Sequence, residues 1–66
     1  MINIKDRDVC VGITCYDYEL EDGTLLHKCD WNGESYIFMK DGVEQVYTPI
    51  YEQDDICFNI VGFINY

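Results

Sequence analysis

Residues 22–42 read DGTLLHKCDWNGESYIFMKDG, and three turn signals divide this stretch: Asp22-Gly23, Asn32-Gly33 and Asp41-Gly42. Such pairs favour the positive φ angles that two-residue hairpin turns need. The turns follow one another after ten and nine residues, which leaves room for one short strand in each interval. The stretch therefore predicts an antiparallel meander.

The composition of the whole chain also favours strands. It has no alanine and three leucines, but eight isoleucines, five valines and six tyrosines, and β-branched and aromatic residues are enriched in strands. We predict strands at 9–20, 24–31, 34–40, 43–51 and 56–65, the first of them bent, with a further short strand at Ile2–Ile4 or an arm over 1–8. The expected fold is one all-β domain over 1–66, a small five-stranded antiparallel meander curled into a partly open, SH3-like barrel.

Two-residue turns would also set the register between strands. The predicted pairs are Trp31 with Glu34, Cys29 with Tyr36, His27 with Phe38, and Lys40 with Val43. The sheet then has an aliphatic face suited to a core, made of Leu26, Ile37, Met39, Val46 and Ile50. Its other face carries Cys29, Trp31, Tyr36, Phe38 and Tyr47. We expect the core to be closed by Val9, Val11, Ile13, Ile56, Phe58, Ile60 and Ile64.

The apolar pattern of the first predicted strand inverts along its length. Apolar residues hold the odd positions up to Cys15, and from Tyr16 onward they hold the even positions. The inversion predicts a bulge or a sharp bend near Cys15-Tyr16. Beyond the bend, tyrosines alternate with three acids, and Asp22 adds a fourth acid in the turn.

Thirteen acidic residues face four basic ones, so the formal charge is −9 on 66 residues. Phosphate contacts need lysine or arginine, so the charge excludes direct binding of nucleic acid and disfavours binding of nucleotides. An acidic surface instead suits a basic protein partner. The excess charge could also serve only to keep an aromatic-rich chain in solution.

Four cysteines, Cys10, Cys15, Cys29 and Cys57, follow an N-terminus without a secretory signal, and no segment is apolar enough to span a membrane. We expect a soluble cytoplasmic protein with reduced thiols that act as small buried hydrophobes. Zinc binding by Cys10, Cys15, His27 and Cys29 is disfavoured because the spacings do not match a structural zinc site. The alternating acids from Asp17 lack the glycine and glutamate positions of a calcium loop. No metal site and no cofactor are expected.

No catalytic motif is present in the chain, and the core is too small for a sizeable pocket. His27 is the only histidine, and we expect it to have a structural role. The protein is therefore predicted not to be an enzyme.

Two groups of acids have tyrosines near them in sequence, so the acids could take the positions of phosphates and the tyrosines could act as anchors. The predicted partner-binding residues are Tyr16, Asp17, Tyr18, Glu19, Glu21, Asp22, Tyr51, Glu52, Asp54 and Asp55. Convergence of the two groups in the fold would favour mimicry of nucleic acid, and divergence would favour a solubility role.

The expected function is inhibition, without catalysis, of a basic nucleic-acid-handling protein by occupation of its binding groove. In size, acidity and lack of alanine, the chain resembles phage-encoded inhibitors of host nucleic-acid enzymes, including anti-CRISPR and other anti-defence proteins. The resemblance lies in composition only. The alternative is a structural or interaction protein that forms a homodimer, or docks to an assembly, through an aromatic face of Trp31, Tyr36, Phe38 and Tyr47.

Overall fold

The structure is a computed structural model that describes residues 1–53 and 58–65. Its strands are β1 (Ile2–Val11), β2 (Thr14–Leu20), β3 (Leu25–Leu26), β4 (Tyr36–Lys40), β5 (Val43–Gln53) and β6 (Phe58–Asn65), with a 3₁₀ turn at Lys28–Asp30. The predicted all-β class is confirmed, with six strands rather than five. Asp54, Asp55, Ile56 and Cys57, to which the sequence assigned roles, lie outside the described residues.

The strand order is β3-β2-β1-β6-β5-β4, and every neighbouring pair is antiparallel. Two three-stranded meanders therefore meet where β1 pairs with β6, through Ile2 with Phe63 and Asn3 with Gly62. A Cβ atom on Gly62 would lie 2.7 Å from the carbonyl oxygen of Ile2, so only glycine fits this close approach. The sheet is nearly closed into a barrel. The N-terminal residues form part of a ten-residue strand rather than a separate arm.

The predicted bent strand at 9–20 is in fact a hairpin of two strands. Cys10 pairs with Cys15 and Val11 with Thr14, so Gly12 and Ile13 form a two-residue turn. Gly12 has a φ of 62°, a conformation that glycine adopts readily. Across such a turn, odd positions of one strand face even positions of the next, which explains the inverted apolar pattern. The predicted bulge at Cys15-Tyr16 is wrong, and the register shift of this hairpin lies between Ile4 and Asp6.

The turn at Asp41-Gly42 follows the sequence prediction. Lys40 pairs with Val43, and Asp41 and Gly42 have φ angles of 53° and 76°, as a type I′ turn requires.

The turn at Asn32-Gly33 does not follow the prediction, because Trp31 pairs with Tyr36 rather than with Glu34. The side-chain oxygen of Asn32 accepts hydrogen bonds from the backbone N–H groups of Glu34 and Ser35, both at 2.9 Å. These bonds stabilise a four-residue loop, and that loop shifts the register.

Most of the predicted strand at 24–31 is also absent. Within this range only Leu25–Leu26 forms a strand, and the chain then enters the 3₁₀ turn. Nδ1 of His27 accepts a hydrogen bond from the backbone N–H of Cys29 at 3.0 Å and so caps that turn. The predicted pairs of Cys29 with Tyr36 and of His27 with Phe38 are therefore wrong.

The core is formed mainly by the aromatic face, and Leu26 is the one member of the predicted aliphatic face that is buried in it. Its buried hydrophobic residues are Leu20, Leu26, Tyr36, Tyr47 and Phe63, and packed against them are Ile2, Ile4, Tyr18, Trp31, Phe38 and Ile60. Each aromatic ring buries more area than an aliphatic side chain, which suits a chain with few core positions. The prediction was wrong for Met39, Val11, Ile13 and Phe58, which are all exposed.

Candidate acidic interface

Three of the four acids predicted on β2 and in the turn after it have partners inside the protein. Oδ2 of Asp17 accepts a hydrogen bond from the Tyr36 hydroxyl at 2.8 Å. Glu19 forms an ion pair with Lys5 at 3.8 Å. Oδ1 of Asp22 accepts from the backbone N–H of Thr24 at 2.9 Å, and Glu21 is exposed. Three of these four acids thus support the local structure.

Strand β1 contributes two exposed acids, Asp6 and Asp8, which the sequence prediction missed. Asp6 pairs directly with Glu19, and the pairs on either side of Asp8 place it opposite Asp17. We call these four residues the acidic hairpin. Like charges directly opposite each other destabilise a sheet. Recognition of the turn at Gly12-Ile13 would have revealed both pairs from the sequence.

An open cleft of about 180 Å³ lies beside the acidic hairpin and is lined by Arg7, Asp8, Asp17, Tyr18 and Tyr36. Nη2 of Arg7 donates a hydrogen bond to the carbonyl oxygen of Ile60 at 2.8 Å. The guanidinium carbon lies 5.4 Å from the centre of the Tyr18 ring, within the range of a cation–π contact. Arg7 therefore connects β1 and β2 with β6, and its positive charge lies in the same cleft as the carboxylates of Asp8 and Asp17.

The backbone of Asp8 is also unusual, because its φ of 53° lies in the left-handed region. This conformation is uncommon for residues other than glycine, although aspartate tolerates it better than most. The strain therefore coincides with one of the two like-charged pairs.

Tyr36 connects the core to the acidic hairpin, and its side chain is 4% exposed. Burial raises the pKa of its hydroxyl well above the ordinary value, and the hydrogen bond to the Asp17 carboxylate raises it further. Ionised Tyr36 would be a buried charge next to another negative charge. The neutral hydroxyl is therefore the donor in the bond to Asp17.

Tyr36→Phe should weaken the loss of stability at alkaline pH. Because the pKa of Tyr36 is raised by folding, its contribution to stability is complete below its ordinary pKa of 10.0 and is lost as the pH rises toward the folded pKa. Urea denaturation at about pH 8 and about pH 11 should show a smaller decrease for the variant than for the wild type. At the lower pH we expect a cost of about 1 kcal/mol for the lost hydrogen bond.

Tyr51→Phe is the matched control because Tyr51 is 51% exposed. It should leave the alkaline decrease close to that of the wild type. An unchanged decrease in Tyr36→Phe would show that Tyr36 is not responsible.

The tyrosines predicted as anchors on β2 are partly buried. The Tyr18 ring contacts Phe63 with a centroid distance of 5.3 Å, and the Tyr16 ring contacts His27 at 5.5 Å. Both rings therefore contribute to packing within the protein.

The second predicted acidic group begins at the end of β5, where Tyr51 and Glu52 are exposed. Strands β1 and β6 lie between β2 and β5 in the sheet order. Glu52 therefore does not lie on a strand next to the acidic hairpin. Asp54 and Asp55 lie outside the described residues.

The aromatic residues predicted as an alternative interface belong to the core. Tyr36 and Tyr47 are buried, Phe38 stacks on Tyr47 with ring centroids 5.6 Å apart, and Trp31 contacts Tyr36 at 4.9 Å. Tyr36 and Tyr47 therefore belong to the core, while Trp31 and Phe38 pack against it and are partly buried.

The cysteines also differ from expectation. Cys10 and Cys15 form a disulfide, because the two-residue turn places them directly opposite each other with Cα atoms 4.0 Å apart. Both are exposed, as is the free Cys29. The prediction of buried, reduced thiols is therefore wrong for these three residues, and Cys57 is not among the described residues.

The described residues, 1–53 and 58–65, contain neither a candidate metal site nor a membrane-spanning helix. In these ranges, no three histidine, cysteine or acidic side chains are grouped so that they could hold a metal ion. No helix in these ranges has the length and the apolar composition to cross a membrane.

The chain matches no protein-family model, no curated protein and no solved structure.

Proposed function

We propose that this protein is a non-enzymatic inhibitor that uses its acidic hairpin to bind a basic protein surface, of the kind that normally holds nucleic acid. The proposal rests on one observation, the presence of two like-charged cross-strand pairs: Asp6 lies opposite Glu19, and Asp8 lies opposite Asp17. Like charges in such pairs repel each other, although Glu19 also pairs with Lys5 and Asp17 also accepts a hydrogen bond from Tyr36. A partner that presents arginine or lysine would relieve both repulsions on binding.

The spacing expected for acids on alternate residues of a regular strand also suits such a partner. Alternate residues of a strand lie about 6.8 Å apart, which is twice the axial distance of about 3.4 Å between phosphates of one DNA strand. A basic groove that binds the hairpin would therefore meet two rows of negative charges. The spacing within each row is about twice that of the phosphates along one DNA strand.

The overall charge supports the same class of partner. A net charge of −9 would accelerate encounter with a basic protein at low ionic strength. Binding should therefore weaken as salt increases.

Neutralising one pair of the acidic hairpin should strongly reduce retention of basic proteins, whereas neutralising two acids of another hairpin should not. The test variant is Asp6→Asn with Glu19→Gln, and the matched control is Asp41→Asn with Glu44→Gln at the β4–β5 turn. Each changes the net charge by two. The probe is the protein fraction of a bacterial lysate that binds a double-stranded DNA column, passed over the immobilised protein at low salt.

We expect the wild type and the control to retain proteins that added double-stranded DNA displaces, and the test variant to retain at least about tenfold less. Equal losses in both variants would mean that the total charge, rather than the acidic hairpin, causes retention, which would contradict the proposed site. No displaceable retention by the wild type would refute the inhibitor function.

A further inference from the structure

We propose that the tip of the β1–β2 hairpin is an apolar anchor that inserts into an apolar pocket of a protein partner, and that basic residues line the rim of this pocket. This inference rests on the proposed function, since it concerns the same hairpin and the same partner. Ile13 carries it, with a side chain exposed to 102% of the reference value, and Val11 next to it is 57% exposed.

An isoleucine side chain at position 13 does not contribute to the stability of the fold. The turn at Gly12-Ile13 needs glycine at its first position, where φ is 62°, but its second position accepts small polar residues that are more common in hairpin turns. A fully exposed isoleucine contributes no burial to folding. The β4–β5 turn has the residue types that are common in two-residue hairpin turns, because Asp41 and Gly42 occupy its two positions.

The disulfide holds the tip in one arrangement. Cys10 and Cys15 close the loop directly below Val11 and Thr14, and both cysteines are exposed, so the cross-link does not serve the core. A tip that is already ordered loses less conformational entropy on binding. The disulfide therefore favours insertion of the two apolar side chains.

The acids below the tip indicate what kind of surface the tip would bind. Asp8 and Asp17 form the first like-charged pair below the disulfide, so a pocket deep enough to enclose the tip and the disulfide would bring its rim to them. Arginine or lysine at that rim would form charge-assisted contacts. An anionic lipid surface would instead repel the hairpin, and the partner is therefore a protein.

Ile13→Ser tests the anchor, with Val43→Ser as the matched control because Val43 is 59% exposed beside the other two-residue turn. Both variants should keep the circular dichroism spectrum of the wild type. Against the same DNA-column fraction, we expect Ile13→Ser to retain about 10- to 100-fold less of the DNA-displaceable protein, and Val43→Ser to resemble the wild type. Reduction of the wild type with dithiothreitol should also weaken retention.

The outcomes separate this anchor from the proposed function. If Ile13→Ser binds normally while neutralisation of Asp6 and Glu19 abolishes binding, the anchor is wrong and the inhibitor function stands. If the wild type retains nothing, both are wrong. Binding of the wild type, dependent on Ile13, to vesicles of phosphatidylcholine and phosphatidylglycerol would overturn the assignment of a protein pocket.

Discussion

Replacing Phe63 with alanine should lower the free energy of unfolding by about 3–5 kcal/mol, the usual cost of removing a buried phenylalanine ring. Phe63 is fully buried, and its ring contacts Tyr18 and Tyr36 with centroid distances of 5.3 and 5.7 Å. Its backbone pairs with Ile2 on one side and with Pro49 on the other. The ring thus fills the place where the two meanders meet.

A domain of this size has a total stability of roughly 3–10 kcal/mol, so the variant should be largely unfolded or close to it. Urea denaturation followed by the fluorescence of Trp31 would measure the change, because Trp31 packs against the core. Phe58→Ala is the control on the same strand, since Phe58 is 67% exposed, and it should cost less than about 1 kcal/mol. Similar losses in the two variants would contradict the assignment of the core.

Replacing Arg7 with glutamine should cost about 2 kcal/mol at low salt. The variant loses a charge-assisted hydrogen bond to Ile60 and the contact with the Tyr18 ring. It also leaves Asp8 and Asp17, which line the same cleft, without their neighbouring cation. Salt screens the remaining repulsion, so the loss should shrink as sodium chloride is added.

Lys40→Gln is the matched control because it changes the net charge equally at an exposed position of the β4–β5 hairpin. It should have little effect on the urea midpoint. Arg7→Lys separates charge from geometry, and it should restore only part of the stability because lysine lacks the planar guanidinium group. If Lys40→Gln were as destabilising as Arg7→Gln, the total charge rather than the contacts of Arg7 would explain the effect.

The success of the sequence predictions depended on the turns. Asp41-Gly42 contains two residues that accept positive φ angles, and the predicted pair of Lys40 with Val43 is present. Asn32-Gly33 has the same signal, but the Asn32 side chain bonds to two backbone N–H groups and lengthens the loop. A turn signal thus shows where the chain reverses, while the competing hydrogen bonds decide the register.

The candidate site was predicted only in part for the same reason. The acids of β2 were recognised from their alternation with tyrosines, but the acids of β1 were not, because Gly12-Ile13 lacks the asparagine or aspartate of a typical turn pair. Without that turn, nothing in the sequence places Asp6 opposite Glu19. The disulfide between Cys10 and Cys15 follows from the same unrecognised reversal.

The sequence by itself determined that this chain forms antiparallel strands and that it carries a strong negative charge. These properties follow from residue type and from local turn preferences. Only the tertiary structure decided that the aromatic face is the core, that four acids form two opposed pairs, and that Ile13 is exposed at a cross-linked tip. The physical reason is register: shifting a strand by one residue exchanges its two faces, and turn length and side-chain bonds in the loops set that register.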